Sequence, residues 1–179
     1  MSIDTAATRK VKAALLQEGL ADRLTELDDT ARSAEDAAAA LGVAVEAIVK
    51  TLIFEFTASE GPFKGQCFPI AALISGDRQC DTSAVAKIME MPGKVSRPDA
   101  QRVKEITGYS IGGVSPVALH DDVIVLIDTA LSRSDVVWAA AGHTHYVFGV
   151  SFAELQRLTS GRVTGEISKG EISKGEISK

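Results

Sequence analysis

"KTLIFEFTASEGPFKGQCFPIAALISG", Lys50 to Gly76, decides the fold. After Lys50 its next six residues are β-branched, aromatic and aliphatic, broken only by Glu55, and read as a strand. The polar turn "TASEGPFKGQ" follows, and "CFPIAALISG" resumes the apolar run, so the two strands form a hairpin. Upstream, Ala6 to Leu20 has helical spacing and stops near Gly19. "SAEDAAAALG" is a second helix with Ser33 as N-cap and Gly42 as stop, and "VAVEAIV" adds at most one helical turn.

Downstream, "DTSAVAKIMEMPG" reads as a short helix capped by Asp81 or Thr82. "SRPDAQRVKEITG" reads as another, with Pro98 in its first turn. "VIVLID" is a buried strand ending at Asp128. "SDVVWAAAG" and "HYVFGVS" form a hairpin across Gly142, and Ser151 with Glu154 is a capping box for a last helix. Helices and hairpins mix without strict alternation. The pattern therefore predicts an α+β fold with a curved mixed sheet rather than a doubly wound one.

At 179 residues the chain suffices for one domain with a real core, expected over 1–164. "GEISK" then occurs three times, Gly165 to Lys179. A five-residue period fits neither helix nor strand, so 165–179 is expected to be a flexible low-complexity tail. No apolar run is long enough to span a bilayer, and the amphipathic N-terminus has no cleavage signature. Cys67 and Cys80 form no Cys-x-x-Cys, so a reducing cytoplasm is the expected compartment. A net charge of −5 argues against an extended grip on nucleic acid. Lys87, Lys94, Arg97, Arg102 and Lys104 nevertheless make a modest basic stretch.

Chemistry-bearing residues are few. Lys50 stands in apolar surroundings, where a lysine either extends its ammonium outward or holds it for an anion. "TGYSIGGVSP", Thr107 to Pro116, sets two glycines before Ser-Pro, a loop able to approach a ligand closely and offer peptide N–H groups. Asp128 ends a strand, where sites are often built. His143 and His145 lack a further ligand at metal-binding spacing. Ser115, Asp128 and His145 follow hydrolase-triad order, but Pro116 replaces part of the required elbow, which excludes that template.

"IVKTLIFE", "TGYSIGGVSP", "VIVLIDTAL" and "AAAGHTHYVFGV", in that order, resemble the YbaK/EbsC family, free-standing relatives of the editing insertion domain of bacterial prolyl-tRNA synthetase. The likeness runs from about Ala34 to Thr159. It implies a trans-editing aminoacyl-tRNA deacylase that hydrolyses the ester of a mischarged tRNA, tRNA-Pro foremost, and contributes to translation fidelity. A non-catalytic module holding tRNA ends or a synthetase is the alternative.

The resemblance further implies a closed or nearly closed mixed barrel flanked by helices, with no metal or organic cofactor. Lys50 matches the family's signature lysine, expected to act in catalysis with Gly112 and Gly113. Ser115, Pro116, Asp128 and His145 are expected to bind substrate. The partners implied are the tRNA acceptor end and a synthetase such as prolyl-tRNA synthetase. The amino acid removed stays open among cysteine, alanine, serine, threonine and non-protein amino acids.

Overall fold

The computed structural model describes residues 4–165 and 167–170. Helices α1 (Ala6–Gln17), α2 (Ala34–Leu41), α3 (Thr82–Ile88), α4 (Ala100–Thr107) and α5 (Phe152–Thr159) start where the sequence supplies caps. Thr5, Ser33, Asp81, Asp99 and Ser151 each accept a backbone N–H of the first turn. Pro98 therefore precedes the cap of α4 rather than standing inside its first turn.

The central sheet has the order β5-β2-β3-β6-β9. Its members are β5 (Gly93–Ser96), β2 (Val49–Ala58), β3 (Cys67–Ser75), β6 (Ile124–Asp128) and β9 (Arg162–Thr164). β2 and β3 pair antiparallel along their full length as the predicted hairpin, from Val49↔Ser75 to Thr57↔Cys67. β6 then adds parallel to β3, and β9 parallel to β6. β3 is buried from Pro69 to Ser75, as expected for a strand covered on both faces.

Period-two alternation divides the core. Phe54, Phe56, Ile70, Ala72, Ile74 and Leu126 pack on one face with Val85 of α3. On the other face, Ile53 and Ala71 meet Val103 and Ile106 of α4. Val49 and Leu73 join the largest cluster, with α1 and the second sheet. That sheet is antiparallel in the order β1-β8-β7, from β1 (Leu24–Glu26), β8 (Tyr146–Val150) and β7 (Val137–His143). The β7–β8 reversal falls at Thr144 and His145, after the His143↔Tyr146 pair, and Gly142 sits inside β7 at φ +88°.

The α+β class holds, but the expected strongly curved sheet closing, or nearly closing, into a barrel does not form. Strands divide among three sheets, and none closes on itself. β7 meets the central sheet through the parallel bridge Ile48↔Trp138, and β5 covers β2 only over Glu55–Ala58. A register break between Ala140 and His143 interrupts β7, and such bulges bend their strand. A seam between β2 and β7 is left open.

The start of the repeat region also differs from the flexible tail expected. Ile167 is fully buried beside Phe54 and Leu126, and β10 (Ser168–Gly170) pairs antiparallel with β4 (Arg78–Cys80). Arg78 fastens it, donating to the Ser168 hydroxyl at 2.6 Å and the Ser168 carbonyl at 2.9 Å. Residues 166 and 171–179 of that expected tail lie outside the described residues.

Candidate functional site

The open seam contains a cavity of about 460 Å³. One wall is Ile48 and the first half of β2, Val49 to Ile53, and the opposite wall is Trp138, Ala139 and Ala140 of β7. The start of α2 and the Arg97-Pro98 approach to α4 complete the rim, together with the glycine loop.

The structure brings Lys50 and Gly112 to this one cavity. Lys50 is half-buried on β2, opposite Ile74. Gly112 is exposed at φ +95°, a conformation that side chains other than glycine's rarely allow. Gly113 does a different job. Its N–H donates to the Ser110 carbonyl at 3.0 Å, closing a turn. A Cβ there would stand 3.0 Å from both Cα and N of His143, so a glycine is what lets the loop lie against β7.

The loop is braced from within. Tyr109, fully buried, donates its hydroxyl to the Val117 carbonyl at 2.7 Å, tying the loop's start to its end. Burial pushes the Tyr109 hydroxyl pKa far above its ordinary value, so it remains a donor. Lys10 of α1 lies 3.9 Å from the Tyr109 ring centre and donates to the Thr107 carbonyl at 2.9 Å. Burial lowers the pKa of that ammonium. Ser115 and Pro116 are buried inside this brace, the Ser115 hydroxyl accepting from the Val117 N–H, and neither lines the cavity.

Asp128 is also elsewhere. It is buried at the tip of β6, accepting from the Ala130 N–H at 2.7 Å and from the Ser168 hydroxyl. His145 occupies the β7–β8 turn, stacked on His143 with 5.3 Å between ring centres, and it is His143 that lines the cavity. No group of three or more His, Cys, Asp or Glu side chains among the described residues gathers at metal-binding distance. No described helix is long and apolar enough to cross a membrane.

Of the basic stretch, Arg97 reaches the cavity, whereas Arg102 is committed to Glu55 at 2.7 Å and to Glu105 at 3.3 Å. Much of the lining escaped the sequence reading, Thr51 and Trp138 among it, and His143 was weighed there only as a metal ligand. The "Lys-Thr-Leu" run contained Thr51, but no local pattern told which threonine would line a cavity.

Comparison with known proteins identifies the family. The family model for the aminoacyl-tRNA editing domain matches residues 28–158. The uncharacterized protein YwhH of Bacillus subtilis is 25% identical over 162 residues, covering 90% of this chain and 96% of that protein. A proline–tRNA ligase of Desulfovibrio desulfuricans is 32% identical over 124 residues, 69% of this chain but only 18% of the ligase. The chain thus spans less than a fifth of that synthetase's length.

Among solved structures, one described as a candidate trans-editing enzyme for prolyl tRNA synthetase superposes with a TM-score of 0.77 at 29% identity. It covers 93% of this chain and 99% of that one. Hypothetical protein APE2540 superposes with a TM-score of 0.75 at 31% identity, over 89% and 99% of the two chains. The chain belongs to the aminoacyl-tRNA editing domain family, the YbaK-like group related to prolyl-tRNA synthetase.

Proposed function

We propose that this protein is a trans-editing deacylase that hydrolyses the ester joining a wrong amino acid to tRNA-Pro. The observation that carries the reading is the meeting of Lys50 and Gly112 at one cavity of about 460 Å³, a volume in the usual range for small-ligand sites. Lys50 holds the phosphate or ribose of the terminal adenosine. An ammonium beside a phosphate is stabilised in its charged form, so it is a positioning cation and not a general base. Hydrolysis develops negative charge on the carbonyl oxygen of the ester, which the Gly112 N–H stabilises. Water, or a group of the substrate itself, attacks the carbonyl carbon, and the ribose oxygen leaves with a proton.

A separate hydrolytic site makes physical sense here. A synthetase pocket separates amino acids differing by one methylene by only ~1–3 kcal/mol, so smaller or isosteric errors pass through. Only the acceptor end need enter the seam, which reconciles the activity with an acidic chain. The relation to proline–tRNA ligase supports tRNA-Pro as the carrier and the synthetase as a partner.

The test is deacylation of a panel of mischarged tRNAs by the parent and by Lys50→Ala. The variant should lose about 10²-fold or more in rate while keeping the parental melting temperature. Equal rates would remove Lys50 from the mechanism, and tight tRNA binding without cleavage by the parent would identify a binding module instead.

A further inference from the structure

The family model begins at residue 28, so helix α1 lies outside the part of the chain that it accounts for. α1 is nevertheless built against both supports of the candidate site. Val11 and Leu15 are fully buried in the largest core cluster, with Tyr109, Ala141 and Tyr146. At its start the backbone of α1 touches β7. A Cβ on Gly142 would stand 2.9 Å from the carbonyl carbon and oxygen of Ala7, one residue before His143. Three residues further on, Lys10 reaches the start of the glycine loop.

Only the ends of that loop are fixed. Ser110, Ile111 and Gly112 are exposed, whereas Gly113 lies on the His143 backbone and Tyr109 is buried. Gly113 and Tyr109 therefore decide where the Gly112 N–H lies. Tyr109 in turn is set by Lys10, whose ammonium sits 3.9 Å from the ring centre, within cation–π range. The same ammonium donates at 2.9 Å to the carbonyl of Thr107, the last residue of α4. A helix's final carbonyls lack partners within the helix, and a cation there complements the dipole. Thr107 passes the constraint on, its hydroxyl accepting the Tyr109 N–H at 2.9 Å and donating to the Val103 carbonyl at 2.8 Å.

No carboxylate pairs with Lys10 among the described residues, and burial works against its charge. A half-buried ammonium loses hydration that a carbonyl and a ring return only in part. Its advantage over an apolar side chain thus lies in fixing geometry rather than in stability.

We propose that Lys10 is a positioning residue of the site, holding Thr107 and Tyr109 so that the glycine loop keeps the Gly112 N–H at the cavity. It touches no reacting atom, and its effect on rate rests on the deacylase reading. A donor displaced by about 1 Å can cost about 10²-fold in rate.

Two measurements on the full chain test this. Hydrogen exchange read by mass spectrometry follows the segment 107–117 without any substrate, and steady-state deacylation of mischarged tRNA-Pro gives kcat and KM. Lys10→Met keeps most of the side chain's length and packing but not its charge. It should raise exchange in 107–117 about tenfold while α5 exchanges as in the parent. It should lower kcat about tenfold or more, with KM changed by less than about twofold and the melting temperature unchanged. Lys10→Arg, which keeps a cation over the ring, should restore both readouts.

Unchanged loop exchange in Lys10→Met would overturn the proposal, as would raised exchange with kcat unaltered. A lowered melting temperature with exchange raised in α5 as well would make Lys10 a support of the whole fold instead. Equal damage in Lys10→Arg would show that the charge is irrelevant, and a higher KM at constant kcat would put Lys10 in substrate binding; either result overturns the positioning role. A parent that cleaves no ester would overturn the deacylase reading alone, and the exchange experiment would still decide whether Lys10 sets the loop.

Discussion

Lys50 and Asp128 both stand near strand ends of the same sheet, in one row on either side of β3, yet their surroundings are opposite. Lys50 pairs with Ile74, and the parallel register that joins Leu73 to Ile127 sets Asp128 beside Ile74 on the far side. At Lys50 no strand covers the outer edge of β2 among the described residues, and a cavity opens there. At Asp128 the Ser168 hydroxyl and the Ala130 N–H occupy the carboxyl oxygens, and Ile167 seals the neighbouring face. A charged residue at a strand tip thus lines an open cavity or ties the fold together according to what covers it. Residue type alone does not decide.

The sharpest way to break this contrast is the exchange of phenotypes. Lys50→Ala should show the largest effect, loss of editing with stability retained. Asp128→Ala should do the reverse. It leaves the Ser168 hydroxyl and the Ala130 N–H without their acceptor, lowering stability by about 1–3 kcal/mol. Thermal melts and deacylation rates measured on both variants check the pair, and an Asp128→Ala protein that melts normally but fails to edit would move Asp128 into the site.

Gly113→Ala is the next smaller effect. Its Cβ would crowd the His143 backbone, so the loop must shift from β7, with a stability loss of about 1–3 kcal/mol and a fall in activity as Gly112 moves. Gly113 variants with unchanged melting and kinetics would show that the loop does not need this approach.

Cys80 gives the smallest but most local reading. Burial, then the nearby acidic side chains of Asp81 and Asp128, push its thiol up to about 11, with Arg97 and Lys50 opposing. Below the ordinary thiol pKa both folded and unfolded chains hold the proton, and this residue's contribution to stability is fully present. As pH rises from there towards about 11, only the unfolded chain ionises, and stability falls. In a Cys67→Ser background, the alkylation rate of Cys80 should keep climbing to about pH 11. Adding Asp128→Ala should move that inflection downward. An inflection at the ordinary thiol value would mean that Cys80 is not shielded.

The legible parts of the molecule are those whose cause is local. Ser33 with Gly42, Asp81, and the Ser151–Glu154 box bound their helices because a cap bonds an N–H two or three residues away. The β2–β3 hairpin was readable because both strands carry their own apolar pattern. β4, β5, β9 and β10, of three or four residues each, were not. Such strands exist only because a distant edge accepts their backbone bonds, and β10 depends on Arg78, ninety positions before Ser168. Lys50 and Gly112 could be nominated from their own surroundings, whereas Thr51 needed the knowledge of which edge stays open.

From the sequence by itself came the α+β class, the helix boundaries, the long hairpin and the two motifs that converge on the seam. Each depends on contacts within a few residues or on side-chain periodicity. The tertiary structure alone decided that the sheets stay open between β2 and β7, that Ser168 closes over Asp128, and that Trp138 to Ala140 face Lys50 across the cavity. Those outcomes follow from which strand edges find partners, a competition among segments far apart in the chain that no local pattern records.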